Sequence, residues 1–129
     1  MDQTQPAPKK KILVVEDEQY LRDLYVQILR EEGYEVEQAA DGEQAYDAMH
    51  KGGYDLVLLD IMMPKMDGLQ VLEKLKAVAA EQTNKGVVIL TNLGQDSAIA
   101  RGVALGARGY IIKSDYTPDQ LLKEIKQYL

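Results

Sequence analysis

Five residues with chemically useful side chains stand directly after short apolar runs of the sequence. Glu16 and Asp17 follow the first run, Asp60 the second, Thr91 the third and Lys113 the fourth. Three carboxylates at one place need a cation, and hard oxygen ligands without imidazole or thiolate favour Mg²⁺, Mn²⁺ or Ca²⁺. These residue types predict a hard-cation site, provided that the fold brings them together.

Phosphoryl transfer is the chemistry that this set of residues suits best. Mg²⁺ in proteins usually takes one or two carboxylates, several waters and a substrate phosphate. Lys113 would supply a positive charge and Thr91 a hydroxyl donor toward the oxygens of a transferring phosphoryl group. Carboxylates are known covalent nucleophiles toward phosphorus. Asp60 is the natural candidate because it ends the apolar run that looks most buried.

Each of these residues also has an ordinary structural interpretation when it is taken alone. Asp17 could be the N-cap of the helix that follows it, Thr91 could simply end a strand, and Lys113 could point into solvent. Asp60 is harder to explain in this way, because a charge directly after a buried strand needs a partner or a metal. The coincidence of four such strand ends favours a joint site.

The apolar runs themselves predict β-strands. They are short, continuous and rich in β-branched residues, which is typical of strands covered on both faces in a parallel sheet. The predicted strands are Ile12–Val15, Leu56–Leu59, Val87–Leu90 and Tyr110–Ile112. A weaker strand, Tyr34–Ala39, has Glu35 and Glu37 alternating outward, which suits an edge position.

Five other segments carry apolar residues at helical spacing. The second helix is predicted to begin after Asp41, in a capping box with Gln44, and the fifth after Thr117, with Pro118 and Gln120. The predicted apolar faces are Leu21, Leu24, Tyr25, Ile28 and Leu29; Ala45, Ala48 and Met49; Leu72, Leu75 and Ala79; Ala98, Ile99, Gly102 and Val103; and Leu121, Leu122, Ile125 and Leu129.

The five-fold alternation of strand and helix predicts a doubly wound α/β fold. We expect a flavodoxin-like, five-stranded parallel sheet in the order 2-1-3-4-5 with five flanking helices. Gly33 and Gly106 stand where two helix C-caps are expected. Ligands of such sheets bind at the carboxyl ends of the strands, at the switch point between the first and third strands. The acidic residues fall on those two strands.

Composition and charge exclude several classes of function. The 129-residue chain has 21 acidic and 15 basic residues and a net charge of −6. A net negative chain repels nucleic-acid backbone and anionic lipid, so we expect neither as a partner of this chain alone. With no cysteine and with His50 as the one histidine, disulfides, thiol nucleophiles and Cys- or His-rich metal sites are excluded. No apolar run approaches the ~18 residues of a membrane helix, so a cytoplasmic location is expected.

The sequence is predicted to consist of two segments. Residues 1–10, MDQTQPAPKK, lack the apolar segment of a signal peptide and are predicted to be a disordered lead. Residues 11–129 are predicted to form one domain.

This domain resembles a receiver domain of the bacterial two-component response regulators, of the single-domain, chemotaxis-regulator-like kind. The matching segments are ILVVEDE at Ile12–Glu18, DLVLLDIMMPKMDGL at Asp55–Leu69, VVILT at Val87–Thr91 and GYIIK at Gly109–Lys113.

The resemblance implies a phosphorylation-dependent signalling switch. Asp60 would accept a phosphoryl group from a phosphohistidine on a sensor histidine kinase or a phosphotransfer protein. Glu16 and Asp17 would hold Mg²⁺ together with Asp60 and the backbone carbonyl of Met62. The chain would be a phosphoacceptor and not an enzyme, since it would promote only its own phosphotransfer and autodephosphorylation.

The resemblance also implies how the switch acts. Thr91 and Lys113 would bind the phosphoryl oxygens, and Tyr110 would match the aromatic residue that changes rotamer together with the threonine. An unknown downstream protein would then bind the face formed by the fourth helix, the fifth strand and the fifth helix. Pro64 and Gly68 match the loop after the acceptor.

Two positions depart from the usual pattern of the family. Ser114 stands where a proline, often preceded by a cis bond, usually follows the lysine. A non-proline cis bond costs about 3–4 kcal/mol, so a trans bond is expected. Asn92 stands where a small residue usually follows the threonine, which affects the expected lifetime of the phosphoryl group.

Three other functions compete with this interpretation. A flavodoxin-like binder of a small molecule needs a phosphate-binding loop after the first strand, where Glu16, Asp17 and Glu18 would repel phosphate. A phosphatase with an aspartate nucleophile needs a general acid two residues further on, where this chain has Met62. A receiver fragment of a longer DNA-binding response regulator remains an open alternative.

Overall fold

The computed structural model describes residues 8–78, 83–92 and 94–129, which fold as alternating strands and helices. The elements are β1 (Lys11–Val15), α1 (Gln19–Glu31), β2 (Glu35–Ala39), α2 (Gly42–Lys51), β3 (Leu56–Asp60), α3 (Gly68–Ala77), β4 (Val87–Thr91), α4 (Asp96–Ala104), β5 (Gly109–Ile112), a 3₁₀ turn (Lys113–Asp115) and α5 (Pro118–Lys126). Every predicted strand boundary lies within one residue of the observed one. Most of the predicted lead, residues 1–7, and Ala79 lie outside the described residues.

The five strands form one parallel sheet in the order β2-β1-β3-β4-β5, which confirms the predicted fold. β2 is an edge strand, as its alternating glutamates indicated. Val15 pairs with Leu59, and Asp60 pairs with Leu90, so the carboxyl ends of β1, β3 and β4 lie side by side. This register places the residues after those strands at a common edge, the carboxyl edge of the sheet.

Alternate strand residues point to opposite faces, and helices cover both faces. On one face the strand residues pack against α1 and α5 through Tyr25, Leu29, Leu121 and Ile125. On the other face Leu13, Val15, Val57 and Leu59 pack against α2 and α3, and Ile89 packs beneath α4. β3 is buried along its whole length, which explains why its sequence is apolar at consecutive positions.

Side-chain caps fix most helix starts, with two corrections to the sequence-based expectations. α5 begins with the predicted capping box of Thr117 and Gln120. α2 is capped by Asp41, but the Gln44 side chain accepts from the Ala40 amide, so the predicted box is only half formed. The N-cap of α1 is Glu18, whose carboxylate accepts from the Leu21 amide, and the interpretation of Asp17 as this cap is wrong.

The remaining helix ends obey the same rules. Asp67 and Gln70 form a capping box at the start of α3 that was not among the predicted helix starts. Gly33 and Gly106 follow the C-caps of α1 and α4 with φ of 95° and 111°, as predicted. The N-cap of α4, Gln95, makes no side-chain capping hydrogen bond, and Val103, predicted on the apolar face of this helix, is instead exposed. None of the helices in the described residues is long and apolar enough for a membrane span.

Candidate functional site

Three carboxylates meet at the carboxyl edge of the sheet. Glu16 directly follows β1 and Asp60 ends β3, and both are buried, with 1% and 3% of their surface exposed. Asp17, one residue further on, is exposed. One carboxylate oxygen from each of the three residues lies within 4.8 Å of those of the other two. The parallel register of β1 and β3 therefore brings together the acids that the sequence placed on two separate segments.

Lys113 lies inside this acidic cluster. It opens the 3₁₀ turn after β5, and its side chain is only 10% exposed. Its Nζ is 2.5 Å from Oε1 of Glu16 and 3.3 Å from Oδ2 of Asp60. The interpretation of Lys113 as a solvent-exposed side chain is therefore wrong, and the lysine compensates part of the buried negative charge.

The surroundings of Asp60 favour its protonated form. Burial raises the pKa of the Asp60 carboxyl well above its ordinary value, and the hydrogen-bonded, negatively charged Glu16 raises this pKa further. Lys113 acts in the opposite direction, but it does not reverse the shift. An additional cation at this place would stabilise the ionised carboxylate, because a nearby positive charge lowers the pKa of an acid.

The loop after β3 folds back over Asp60. The Met62 amide donates a hydrogen bond to Oδ1 of Asp60 at 3.3 Å, while the Met62 side chain is exposed. The Gly68 amide donates to the Ile61 carbonyl at 2.9 Å and closes the loop. A Cβ on Gly68 would lie 2.4 Å from the carbonyl oxygen of Asp60, so glycine is required where α3 begins so close to the site.

Thr91 ends β4 at the same edge, and its side chain is buried. Its hydroxyl donates to the carbonyl of Asn92 at 3.3 Å. Tyr110 lies on β5, where it pairs with Ile89, and half of its surface is exposed. Thr91 is thus adjacent to the acidic cluster with its hydroxyl bonded to its own loop, and Tyr110 faces outward.

Two sets of contacts that support the site were not predicted from the sequence. Arg22 on α1 donates to the carbonyls of Glu16 and Asp17, at 2.9 Å and 3.5 Å, and to the side chain of Gln38. The Glu18 amide donates to Oε2 of Glu16 at 3.2 Å. The spacing of Arg22 one turn into the helix after the acidic pair was a signal, but an arginine in the first turn of a helix is too common to single out.

The peptide bond after Lys113 agrees with the expectation from Ser114. No cis peptide bond occurs in residues 8–78, 83–92 or 94–129. The lysine side chain reaches the acidic cluster from a trans backbone. The proline that usually follows this lysine is therefore not needed to bring the side chain into the site.

Comparison with known proteins decides the family. A family model described as the response regulator receiver domain matches residues 12–126. The chain belongs to this family. Receiver domains are parts of two-component systems, in which they interact with histidine kinases or phosphotransfer proteins and with downstream partners, so membership supports phosphorylation-dependent signalling.

Solved structures with the same architecture include three informative relatives of this receiver domain. A CheY-like receiver domain protein from Methanospirillum hungatei is 32% identical, with a TM-score of 0.80 and 93% of both chains covered. Chemotaxis protein CheY4 from Vibrio cholerae is 30% identical, with a TM-score of 0.82, and 95% of this chain and 100% of that chain are covered. Response regulator TrrA from Thermotoga maritima, solved in complex with Mg²⁺-BeF, is 36% identical, with a TM-score of 0.76 and coverage of 93% and 99%.

A curated relative extends beyond the receiver domain. Transcriptional regulatory protein SrrA from Staphylococcus aureus is 34% identical over 119 residues, which are 92% of this chain and 47% of that protein. The chain thus spans about half the length of the curated relatives that it matches.

Proposed function

We propose that this receiver domain is a phosphorylation-dependent switch in which Asp60 accepts a phosphoryl group from a phosphohistidine of a histidine kinase or phosphotransfer protein. One observation carries the proposal. The buried carboxylate of Asp60 lies at the carboxyl edge of the sheet, with two further carboxylates beside it and the ammonium of Lys113 at 3.3 Å. A nucleophile and a countercharge for a phosphoryl group are therefore within reach of each other.

The donor set of the site fits Mg²⁺. All three clustered side chains are carboxylates with oxygens within 4.8 Å of one another, which is the ligand type that Mg²⁺ prefers. Glu16, Asp17 and Asp60 would hold the ion together with the carbonyl of Met62, whose amide already contacts Asp60. When bound, Mg²⁺ supplies positive charge that offsets the repulsion between the carboxylate and the incoming phosphoryl oxygens.

The transfer step exchanges one bond for another. One carboxylate oxygen of Asp60 attacks the phosphorus, the new O–P bond forms and the N–P bond to the partner's imidazole breaks. The imidazole leaves with the electron pair of that bond and takes up a proton. Lys113 and the hydroxyl of Thr91 bind phosphoryl oxygens, so negative charge that builds up on the group is met by donors at the same edge.

The product is a mixed anhydride of phosphate and the Asp60 carboxyl group. Water later attacks the phosphorus of this anhydride, which returns the free carboxyl group of Asp60 and inorganic phosphate. Asp60 belongs to the chain itself, so the domain is a phosphoacceptor that promotes its own transfer and hydrolysis and not an enzyme with a separate substrate. Asn92 is exposed beside Thr91, where its amide affects how readily water reaches the anhydride.

The output of the switch is a protein contact on the face formed by α4, β5 and α5. Val103 on α4 and Tyr110 on β5 are large apolar residues on this face, with 47% and 49% of their surface exposed. The net charge of −6 opposes nucleic-acid binding by this chain alone. A cytoplasmic location is part of the same proposal.

A receiver segment of a longer DNA-binding regulator is the second candidate. It is favoured by the coverage of SrrA, a transcriptional regulatory protein of which this chain matches 47%. Phosphorylation of Asp60 is common to both candidates, and they differ in where the output is produced. Tight, salt-dependent binding of duplex DNA by this chain alone would contradict the output through protein contact.

Intact-mass spectrometry after incubation with a small phosphodonor and Mg²⁺ tests the proposal. The wild-type chain should gain the mass of one phosphoryl group, and hydroxylamine, which cleaves acyl phosphates, should remove it. Asp60→Ala should gain nothing. Asp55→Asn is the matched control, because Asp55 precedes the same strand at the opposite edge of the sheet and should leave labelling intact. Equal labelling of Asp60→Ala and wild type would overturn the assignment.

A further inference from the structure

An ion pair joins the loop after β3 to the start of α2. Nζ of Lys65 lies 3.4 Å from Oδ2 of Asp41 and 4.0 Å from Oε2 of Glu43. Asp41 is largely buried, and its other carboxylate oxygen accepts from the amide of Gln44 at 2.9 Å. That amide, and the charge of Lys65, lower the pKa of the Asp41 carboxyl, so Asp41 is the ionised partner of the pair.

The backbone of Lys65 has an unusual conformation. Its φ of 68° is in the left-handed region, and among the described residues it is the one non-glycine residue with a positive φ. A side chain with a Cβ costs energy in this region, and such residues persist where the surrounding structure holds them. The contact with Asp41 is one such restraint on the loop.

A second contact holds the same loop against α2. An added Cβ at Gly42, the first residue of α2, would lie 1.9 Å from the carbonyl oxygen of Met66. The loop backbone therefore occupies the space that any other residue at position 42 would fill. Together, the close approach at Gly42 and the Lys65–Asp41 ion pair set the position of the loop relative to α2.

The loop also carries the part of the site that comes after Asp60. Its Met62 amide donates to Asp60, and its far end is closed by the bond from Gly68 to Ile61. Only Met63 and Pro64 lie between Met62 and Lys65 in the sequence. A change in the backbone at Lys65 is therefore passed to Met62 over a short, closed segment.

We propose that Lys65 is a positioning residue, which through its ion pair with Asp41 holds the loop so that the Met62 peptide group is correctly placed for cation binding beside Asp60. This inference rests on the proposed function, because it assigns Lys65 a role in the Mg²⁺ site of the phosphoacceptor. Lys65 itself contacts neither the acceptor nor the other carboxylates of that site.

A positioning role of Lys65 and a direct effect of its charge predict different changes in Mg²⁺ affinity. A lysine near an acidic site repels a cation, so if only its charge mattered, removal of Lys65 would tighten Mg²⁺ binding. If Lys65 positions the loop, its removal should weaken Mg²⁺ binding. The two explanations therefore predict changes of opposite sign.

Titration calorimetry with Mg²⁺ on matched variants measures whether the affinity rises or falls when Lys65 is replaced. Lys65→Asn removes the charge while asparagine tolerates a positive φ, and Lys65→Gly removes both the charge and the backbone strain. Both should bind Mg²⁺ about two- to fivefold more weakly, the size expected for loss of one partly exposed ion pair. Lys65→Arg should restore affinity close to that of the wild type.

Two further variants complete the test. Asp41→Asn keeps an N-cap residue at α2 but removes the ion pair, and Lys65→Asn should add little to its effect on affinity. Lys85→Asn is the control, since Lys85 pairs with Asp55 at 3.0 Å on the opposite edge of the sheet and its loss should not weaken Mg²⁺ binding. Lys65→Gly, which relieves strain, should be at least as stable as wild type, so its weaker binding would not result from unfolding.

Unchanged or tighter Mg²⁺ binding by both Lys65→Asn and Lys65→Gly would overturn the positioning role. Failure of the proposed function would look different. In that case the wild-type chain itself would show no Mg²⁺ binding, or the label would persist in Asp60→Ala, and the role of Lys65 would be rejected together with it.

Discussion

The ammonium of Lys113 lies 2.5 Å from the carboxylate of Glu16, although 97 positions separate the two residues along the chain. Both side chains are at least nine-tenths buried. Buried ion pairs contribute little when they are complete, but loss of one partner leaves an uncompensated charge. Lys113 therefore compensates the buried charge of Glu16 before any metal or phosphoryl group binds.

Replacement of Lys113 by methionine should destabilise the metal-free protein. The buried carboxylate of Glu16 would lose its counter-ion, at a cost on the order of 3 kcal/mol in the free energy of unfolding. Urea unfolding in EDTA measures this loss, and Mg²⁺ should restore more stability to the variant than to wild type. Lys126→Met is the control, because Lys126 pairs with Glu32 on the surface and should cost less than about 1 kcal/mol. Equal stability of Lys113→Met and wild type would contradict the assignment of a compensating charge.

Replacement of Asp17 by asparagine should weaken Mg²⁺ binding without loss of stability. Asp17 contributes a carboxylate to the cluster, while Glu18 and not Asp17 caps α1. Removal of one repelling charge should leave the free energy of unfolding unchanged or higher. Calorimetric Mg²⁺ titration and urea unfolding measure the two effects. Glu18→Gln is the matched control, since it removes one charge from the neighbouring residue and keeps an oxygen that accepts from Leu21. If both variants lower the affinity equally, the effect of Asp17 is one of net charge and not of coordination.

The sheet and its acidic edge were predictable because they depend on local patterns and on a general rule of topology. Consecutive apolar residues in Leu56–Leu59 indicate a strand buried on both faces, and parallel strands place the residues at their carboxyl ends along one edge. These two rules located Glu16, Asp60 and Lys113 without any knowledge of side-chain conformation. They could not give the direction of a side chain, and Val103 shows this, since it lies exposed on a helix whose apolar face was expected to include it.

Contacts that depend on competition between similar side chains were not predictable. Aspartate is a better N-cap than glutamate, so the preferences favoured Asp17 at α1, yet the helix begins one residue later, at Gln19, with Glu18 as its cap, and Asp17 contributes its carboxylate to the cluster. The ion pair of Lys65 with Asp41 depends on a left-handed residue in an irregular loop. Neither hydrophobic periodicity nor a helix-capping motif in the sequence indicates such a conformation.

Acid should destabilise the protein partly through Asp55. The amide of Lys11 at 2.7 Å, and the ammonium of Lys85 at 3.0 Å, hold the pKa of the Asp55 carboxyl below its ordinary value. A folded-state pKa below the unfolded one means that the stabilisation is present above the unfolded value, ~3.9 for aspartate, and is lost as the pH falls through the folded value. The free energy of unfolding should therefore drop with acidification below about pH 4.

Asp55→Asn isolates this contribution. The variant should be less stable than wild type at neutral pH, and the difference should shrink as the pH falls, because protonated aspartate and asparagine are both uncharged. Urea unfolding at a series of pH values between neutrality and the acid limit measures the difference. If the difference in the free energy of unfolding between the two proteins stays constant or grows as the pH falls, these contacts do not hold Asp55 in its ionised form.

Phosphorylation of Asp60 should change the conformation of α4, and the hydroxyl of Thr91 should couple the two. This hydroxyl now donates to the Asn92 carbonyl at 3.3 Å, and a phosphoryl group would offer an anionic acceptor. A charge-assisted hydrogen bond is worth about 1.5–3 kcal/mol, enough to shift a two-state equilibrium ~10–100-fold. α4 is suited to respond, because it begins without a side-chain cap and contains Gly102, which lowers its helix propensity. The half-exposed ring of Tyr110 on the neighbouring strand would move into the space that Thr91 leaves.

Backbone NMR with and without a beryllofluoride mimic of the phosphoryl group measures this coupling. In the wild type the chemical-shift changes should extend from the acidic site to α4, β5 and α5, and Thr91→Ala should confine them to the site because the donor is missing. Thr83→Ala, which removes a threonine before the opposite end of β4, should leave the wild-type pattern unchanged. If the changes spread equally far in Thr91→Ala, the hydroxyl is not the coupling element. The residues whose amide signals decide the result are Ile99, Val103, Tyr110 and Leu121.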